Sequence, residues 1–177
     1  MWQFVAAGAF IDRSPSHRER TQLVLKGCTK AALDPKGRVT LPARCREALE
    51  ADGGNVVVAT VDLREQCLLL YSWSAWQPIE AALMDLPNMD ERYRRLQRMM
   101  LGHAVEIEID GSGRVLLSQE LRDFARLDKR VALVGQGNKF ELWSEEHWDA
   151  RRAEWRRQAA EDLHSLGQER VALLDRI

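Results

Sequence analysis

The sequence contains an internal repeat, and this feature constrains the fold more than any other property of the chain. Matching residues recur 76 positions apart in the first part of the repeat and, after a short gap, 72 positions apart. The aligned segments are DPKGRVTL at 34–41 with DGSGRVLL at 110–117, Arg46 with Arg122, LYS at 70–72 with LWS at 142–144, and Trp76 with Trp148. A chain that carries the same elements twice, at about residues 28–83 and 104–157, is predicted to fold into two similar halves.

Each copy of the repeat has the pattern of a strand, a tight turn, a strand, a short helix, two more strands and a longer helix. In the second copy Val105, Ile107 and Ile109 alternate with acidic residues, which is the period-two pattern of a half-buried strand. Each half has only roughly 50 residues and a few short strands, which is too little for a core of its own. We therefore predict an α+β fold in which the two halves intertwine into one pseudo-symmetric β core with flanking helices.

Two of the flanking helices have recognisable sequence signals. The helix between the copies has Asn88 or Asp90 near its start and Gly102 at the position of a C-cap glycine. The C-terminal stretch from about 145 to 161 has tryptophans and arginines at helical spacing. Both helices are expected to pack against the shared β core.

Positive charge is concentrated in the first copy, although the whole chain has a net charge of −1 and a pI near 6.4. Residues 26–46 contain six basic side chains and one acidic one, a net charge of +5, whereas residues 104–126 contain three basic and five acidic side chains, a net charge of −2. The six basic side chains are Lys26, Lys30, Lys36, Arg38, Arg44 and Arg46. Such a stretch is often only a solvated surface, but it also suits an anionic partner such as nucleic acid.

The aligned turns share the pattern Asp-x-x-Gly-Arg. Their aspartates and glycines are Asp34, Gly37, Asp110 and Gly113, and the arginines that follow are Arg38 and Arg114. An aspartate side chain can accept backbone N–H bonds two residues farther on, and glycine supplies the positive φ that reverses the chain. The arginine can pair with the aspartate and stiffen the loop, or it can project. One such turn is ordinary hairpin chemistry, but two equivalent turns favour recognition, because a rigidly held arginine can bond two acceptors of guanine at once.

Several segments in the correct order resemble the MraZ family, over roughly residues 24–157. They are VLKG at 24–27, LDPKGRVTLPAR at 33–44, RMMLGHA at 98–104, DGSGR at 110–114 and LVGQGNKFELW at 133–143. The resemblance implies two SpoVT-AbrB repeats of the swapped-hairpin type with paired DxxxR motifs, which fall here on Asp34–Arg38 and Asp110–Arg114. It also implies a cytoplasmic, nucleoid-associated regulator of transcription that assembles into homo-oligomeric rings. Its partner would be double-stranded DNA with tandem G-rich boxes upstream of the operon for cell division and wall synthesis, often at its own promoter.

The turn chemistry and the resemblance together define the candidate site residues. The residues expected to contact DNA are Lys36, Arg38, Arg114, Lys30 and Arg44, and those expected to shape the turns are Asp34, Gly37, Asp110 and Gly113. Because the second copy is acidic, the first copy is expected to supply more of the phosphate contacts.

The chain is predicted to divide into five segments. Residues 1–23 are polar and aperiodic and are predicted to be a disordered N-terminal extension. The other segments are the first repeat at 28–75, connecting helices at 76–103, the second repeat at 104–147 and a C-terminal helical segment at 148–177. Proteins of the family usually begin at the equivalent of Val24, so Val24 is a candidate true start.

Other classes of function are weakly supported. Four histidines, with no nucleophile elbow, phosphate loop or metal-type pair in the sequence, argue against an enzyme, a metal site or a bound cofactor. Three cysteines without metal-type spacing fit a reduced cytoplasm, and no apolar run approaches the roughly 20 residues of a membrane span. Two alternatives stay open: a ring-forming scaffold without a role in transcription, and an AbrB-like antitoxin.

Overall fold

The computed structural model describes residues 25–87 and 89–165, and in this range both halves contain the same order of elements. The first half contains β1 (Cys28–Ala32), β2 (Arg38–Thr40), α1 (Ala43–Gly53), β3 (Val56–Val61), β4 (Leu68–Ser72) and α2 (Trp73–Met84), and the connecting helix α3 (Glu91–Met100) follows. The second half contains β5 (Val105–Glu108), β6 (Arg114–Leu116), α4 (Gln119–Phe124), β7 (Arg130–Gly135), β8 (Phe140–Ser144) and α5 (Glu145–Ser165). The predicted α+β class is confirmed. The N-terminal extension predicted at 1–23, the candidate start Val24 and residues 166–177 lie outside the described residues.

Strands from the two halves are interleaved in one six-stranded antiparallel sheet with the order β1-β7-β8-β4-β3-β5, and β2 and β6 form a separate two-stranded ribbon. Strand β1 of the first half pairs with β7 of the second, and β5 of the second half pairs with β3 of the first. Aligned residues face each other at two places, Val39 opposite Val115 in the ribbon and Leu69 opposite Glu141 in the sheet. These pairs mark a pseudo-twofold axis, and the two halves share one core, as predicted.

The main core lies between the six-stranded sheet and a layer made of the ribbon, α1 and α4. Equivalent buried residues of the two halves fill it: Val39 with Val115, Val57 with Val131, Cys45 with Leu121, and Leu49 with Ala125. The spacing of the apolar positions on α1 and α4 turns one stripe of each helix inward. Full burial of a valine or leucine side chain stabilises the fold by about 1.5–3 kcal/mol, so this layer holds the ribbon firmly on the sheet.

The opposite face of the sheet is covered by α2 and α3 over one half and by α5 over the other. Trp76 of α2 packs against Tyr71 of β4, with 5.7 Å between ring centroids. Trp143, Trp148 and Trp155 form a cluster between β8 and α5, with ring centroids 5.7–5.9 Å apart. The fold therefore has three layers, and the ribbon and these outer helices lie on opposite sides of the sheet.

Helix α3 starts as the sequence predicts but ends differently. Asp90 is its N-cap, and the Asp90 carboxylate accepts a hydrogen bond of 2.8 Å from the N–H of Arg92. Leu101 is its C-cap residue, so Gly102 lies directly after the cap, at the position predicted for a capping glycine, but it does not adopt the left-handed conformation typical there. Glycine is required there for space, since a Cβ on Gly102 would collide with the carbonyl oxygen of Arg98.

Candidate nucleic-acid interface

The first Asp-x-x-Gly-Arg segment forms a closed turn between β1 and β2. The Asp34 carboxylate oxygen Oδ1 accepts hydrogen bonds from the backbone N–H groups of Lys36 and Arg38, each 2.9 Å long. The N–H of Gly37 donates to the Asp34 carbonyl at 2.9 Å, and Gly37 has a φ of +86°, a conformation that favours glycine. A side-chain acceptor and a left-handed glycine thus define the shape of this turn.

The second turn, between β5 and β6, repeats these contacts. The Asp110 carboxylate accepts from the N–H groups of Ser112 at 2.8 Å and Arg114 at 3.0 Å, and Gly113 with a φ of +73° donates to the Asp110 carbonyl at 2.7 Å. Corresponding hydrogen bonds in the two turns differ by 0.2 Å or less. The geometry is therefore preserved although the two residues between aspartate and glycine differ.

Each aspartate also pairs with the arginine that follows its turn. Arg38 Nε donates to Asp34 Oδ2 at 2.6 Å, and Arg114 Nε donates to Asp110 Oδ2 at 2.8 Å. The backbone N–H of Arg38, followed by its guanidinium, lowers the pKa of Asp34, and the Arg114 guanidinium lowers the pKa of Asp110 to about 2. Both carboxylates are charged at neutral pH, and both guanidiniums are anchored while about a third of each arginine side chain stays exposed.

The ribbon brings the two turns together. The N–H of Leu41 donates to the Gly113 carbonyl and the N–H of Leu117 donates to the Gly37 carbonyl, both at 2.9 Å. Val39 and Val115 lie opposite each other, and both are buried. Because side chains alternate along a strand, the residues before and after each of these valines face away from the core. Arg38 and Arg114 therefore project from the same outer face of the ribbon.

Two further arginines cross the pseudo-twofold axis to the turn of the other half, and the site list drawn from the sequence did not include them. Arg46 of α1 packs against Gly113, and Arg122 of α4 packs against Gly37. A Cβ on Gly37 would lie 2.9 Å from Arg122 Nε. The available signal was the repeat itself, which aligns Arg46 with Arg122. Each turn is thus supported by a cation from the opposite half.

The sequence profile of a family described as MraZ protein, antitoxin-like, matches the chain twice, at residues 24–99 and 100–172. The chain belongs to the MraZ family. Several similar curated proteins are named Transcriptional regulator MraZ. The protein of Hydrogenovibrio crunogenus is 52% identical to this chain over 132 residues, and that of Thioalkalivibrio sulfidiphilus is 53% identical over 132 residues. Both alignments cover 75% of this chain and 87% of the relative. The Legionella pneumophila relative is 42% identical over 146 residues, which are 82% of this chain and 96% of the relative.

Membership of the MraZ family confirms the resemblance inferred from the motifs and places the chain among transcriptional regulators. The described residues include no group of three or more His, Cys, Asp or Glu side chains placed to hold a metal ion. In the same residues, no helix combines the length and apolarity required to cross a membrane.

The structure assembles only some of the site residues predicted from the sequence. Exposed Lys36 lies on the first turn, beside Arg38 and opposite the strand that carries Arg114. Lys30 lies on the other face of the sheet, where its ammonium pairs with Glu145 at 2.6 Å and Asp149 at 3.3 Å.

Arg44 is also separated from the turns, because its Nη2 donates to Thr29 Oγ1 at 2.6 Å and its guanidinium packs over Gly27. Lys30 and Arg44 thus contribute to the charge of the basic stretch, but each is held by a contact of its own. The compact group around the ribbon consists of Lys36, Arg38, Arg46, Arg114 and Arg122.

Proposed function

We propose that this member of the MraZ family regulates transcription by binding double-stranded DNA sequence-specifically, with the ribbon and its two turns in the major groove. The observation that carries the proposal is the placement of Arg38 and Arg114 on two rigid, adjacent turns that face the same way. A two-stranded ribbon fits the major groove of B-DNA, which is about 12 Å wide. Two residues along a strand span about 7 Å, close to the rise of two base pairs at about 3.4 Å each.

The two arginines are suited to guanine to different degrees. Asp34 engages only Nε of Arg38, and within the described residues no acceptor engages its Nη groups, which leaves both for the O6 and N7 of guanine. Asp110 likewise accepts from Nε of Arg114, but residues 104–126 around Arg114 have a net charge of −2, whereas residues 26–46 around Arg38 have a net charge of +5. The first turn is therefore the stronger base-contacting element in this proposal.

Phosphate contacts are assigned to Lys36 at the tip of the first turn and to the crossing arginines Arg46 and Arg122. Lysine and arginine contacts to phosphates release counterions, which makes binding depend steeply on salt. Lys30 and Arg44 are not part of the proposed interface, because each has a protein partner away from the ribbon.

The target and the assembly are proposed from the family resemblance. The operator consists of tandem G-rich boxes upstream of the operon for cell division and wall synthesis, including the protein's own promoter, and the protein acts in the cytoplasm in association with the nucleoid. Homo-oligomeric rings would let several ribbons engage neighbouring boxes at once, so that the effect of each contact is multiplied through avidity.

The experiment is a fluorescence-anisotropy titration of the region upstream of the protein's own gene, carried out over a range of salt concentrations. Arg38→Ala should weaken binding by about 5- to 150-fold per engaged subunit and relax discrimination against boxes with mutated guanines, which corresponds to about 1–3 kcal/mol for a bidentate contact. Arg114→Ala should have a smaller effect. Lys36→Ala should weaken all sequences alike and reduce the salt slope by about 1.

The matched controls separate local recognition from overall charge. Lys30→Ala removes the same charge as Lys36→Ala from the opposite face of the sheet and should leave the salt slope unchanged. Arg38→Lys keeps the charge but loses the planar fork, so it should lose guanine discrimination while keeping most of the salt dependence. Circular dichroism establishes that each variant is folded. If folded Arg38→Ala binds as tightly as the parent at every salt concentration, the proposed role of the turn is wrong.

A further inference from the structure

The outer face of the ribbon carries an exposed leucine. Leu116 has 56% of its surface exposed, whereas the next residue, Leu117, is 1% exposed and belongs to the core. The alternation of side chains along the strand explains this difference, because Val115 and Leu117 face the core and Leu116, between them, faces outward. Packing does not require an apolar residue at 116, because a polar side chain there would be equally compatible with the fold.

The register of the ribbon places this leucine beside an arginine of the proposed interface. Leu116 lies directly opposite Arg38, and at the other end of the ribbon Arg114 lies directly opposite Thr40. Thr40 is also exposed and aligns with Leu116 in the repeat. Each end of the ribbon therefore combines one arginine with one exposed side chain that contains a methyl group.

We infer that Leu116 is a specificity-determining residue that contacts the 5-methyl group of a thymine in the base pair next to the guanine bound by Arg38. This inference rests on the proposed DNA-binding function. The thymine methyl is the apolar group of the major groove, and apolar side chains and the threonine methyl are suited to contact it. Side chains directly opposite each other in a ribbon are about 4.5–5.5 Å apart at Cβ, so two such residues can reach neighbouring base pairs with a rise of about 3.4 Å.

The test replaces thymines by deoxyuridine, which removes the methyl group and leaves the hydrogen-bonding edge of the base unchanged. Each thymine next to a guanine in the upstream boxes is replaced singly, and binding is measured for the parent, Leu116→Ala and Leu116→Thr. The parent should lose affinity by about four-fold at one thymine per box, the equivalent of about 0.8 kcal/mol for one buried methyl or methylene group. Leu116→Ala should bind the thymine and deoxyuridine duplexes equally, and Leu116→Thr should retain part of the difference.

Leu63→Ala is the control, since Leu63 is 49% exposed but lies in the connection between β3 and β4, away from the ribbon. It should lose affinity on deoxyuridine replacement as the parent does. The inference is overturned if Leu116→Ala keeps the full thymine preference, if the parent binds tightly but shows no preference at any thymine, or if light scattering finds that Leu116→Ala changes the number of subunits. Failure of the parent to bind any upstream duplex would instead refute the proposed function, and with it the contact.

Discussion

Replacement of Gly37 by alanine tests the close approach between the two turns. The residue has a φ of +86°, and an alanine in this left-handed region costs about 1–2 kcal/mol. The added Cβ would also lie 2.9 Å from the backbone oxygen of Leu117, which belongs to the other half and is fixed by the hydrogen bond from Leu117 N–H to the Gly37 carbonyl. Crowding of this kind costs about 1–3 kcal/mol, so Gly37→Ala should lower the free energy of unfolding by about 2–5 kcal/mol.

Two other glycines separate the conformational cost from the crowding. Gly137 has a φ of +80° with open space around it, so Gly137→Ala should show only the conformational cost of about 1–2 kcal/mol. At Gly113 the crowding neighbour is the end of the flexible Arg46 side chain, so Gly113→Ala should fall between the two. The decrease in unfolded-chain entropy on replacing glycine by alanine is common to all three variants and cancels in the comparison.

The assay is urea denaturation followed by circular dichroism at a fixed protein concentration, because assembly would make the apparent stability depend on concentration. The informative quantity is the difference between Gly37→Ala and Gly137→Ala, expected at about 1–3 kcal/mol. Equal losses in the two variants would mean that the turns are not held in contact across the pseudo-twofold axis and do not form a coupled, rigid pair.

Two more predictions concern the turn aspartates and the interleaved sheet. The pKa of Asp110 is about 2 in the folded protein and about 3.9 in an unfolded chain, and the pKa of Asp34 is also lowered on folding. The two ionised carboxylates therefore stabilise the fold fully above about pH 4, and this stabilisation is lost as the pH falls toward 2. The double variant Asp34→Asn with Asp110→Asn should therefore lose less stability than the parent between pH 5 and pH 2.5 in chemical denaturation, and an identical loss would contradict the assignment. A fragment of residues 25–103 should be unfolded alone, because β1 and β3 pair with strands of the second half. It should gain β structure, measured by circular dichroism, when it is mixed with a fragment of residues 104–165. A first fragment that folds independently would disprove this.

Much of the fold was predictable because its signals are local. The alternation around Ile107 predicts β5, in which Ile107 is buried, and the aspartate and glycine of each turn predict the chain reversal. The prediction that the halves share a core rested on their small size. It could not specify that β1 pairs with β7, since a hairpin that closes within its own half would have the same local sequence.

The candidate site was less predictable because its contacts join distant parts of the chain. Lys30 was grouped with the basic stretch by its position in the sequence, but its partner Glu145 is 115 residues away and on another element. Arg46 lies near the first turn in sequence and supports the second one in space. Counting charges along a sequence identifies a basic region, but it cannot identify which of its side chains are already neutralised.

The pseudo-twofold ribbon is built from one covalent chain, and this has a consequence for how its surface can change. In an assembly of two identical chains, any substitution would appear on both sides of the axis at once. Here Thr40 and Leu116 occupy equivalent outward positions, and Lys36 and Ser112 occupy equivalent places in the turns, while the backbone hydrogen bonds of the two turns stay matched. Each side of the ribbon can therefore acquire its own chemical preference, so that the surface has a direction even though its scaffold is symmetric.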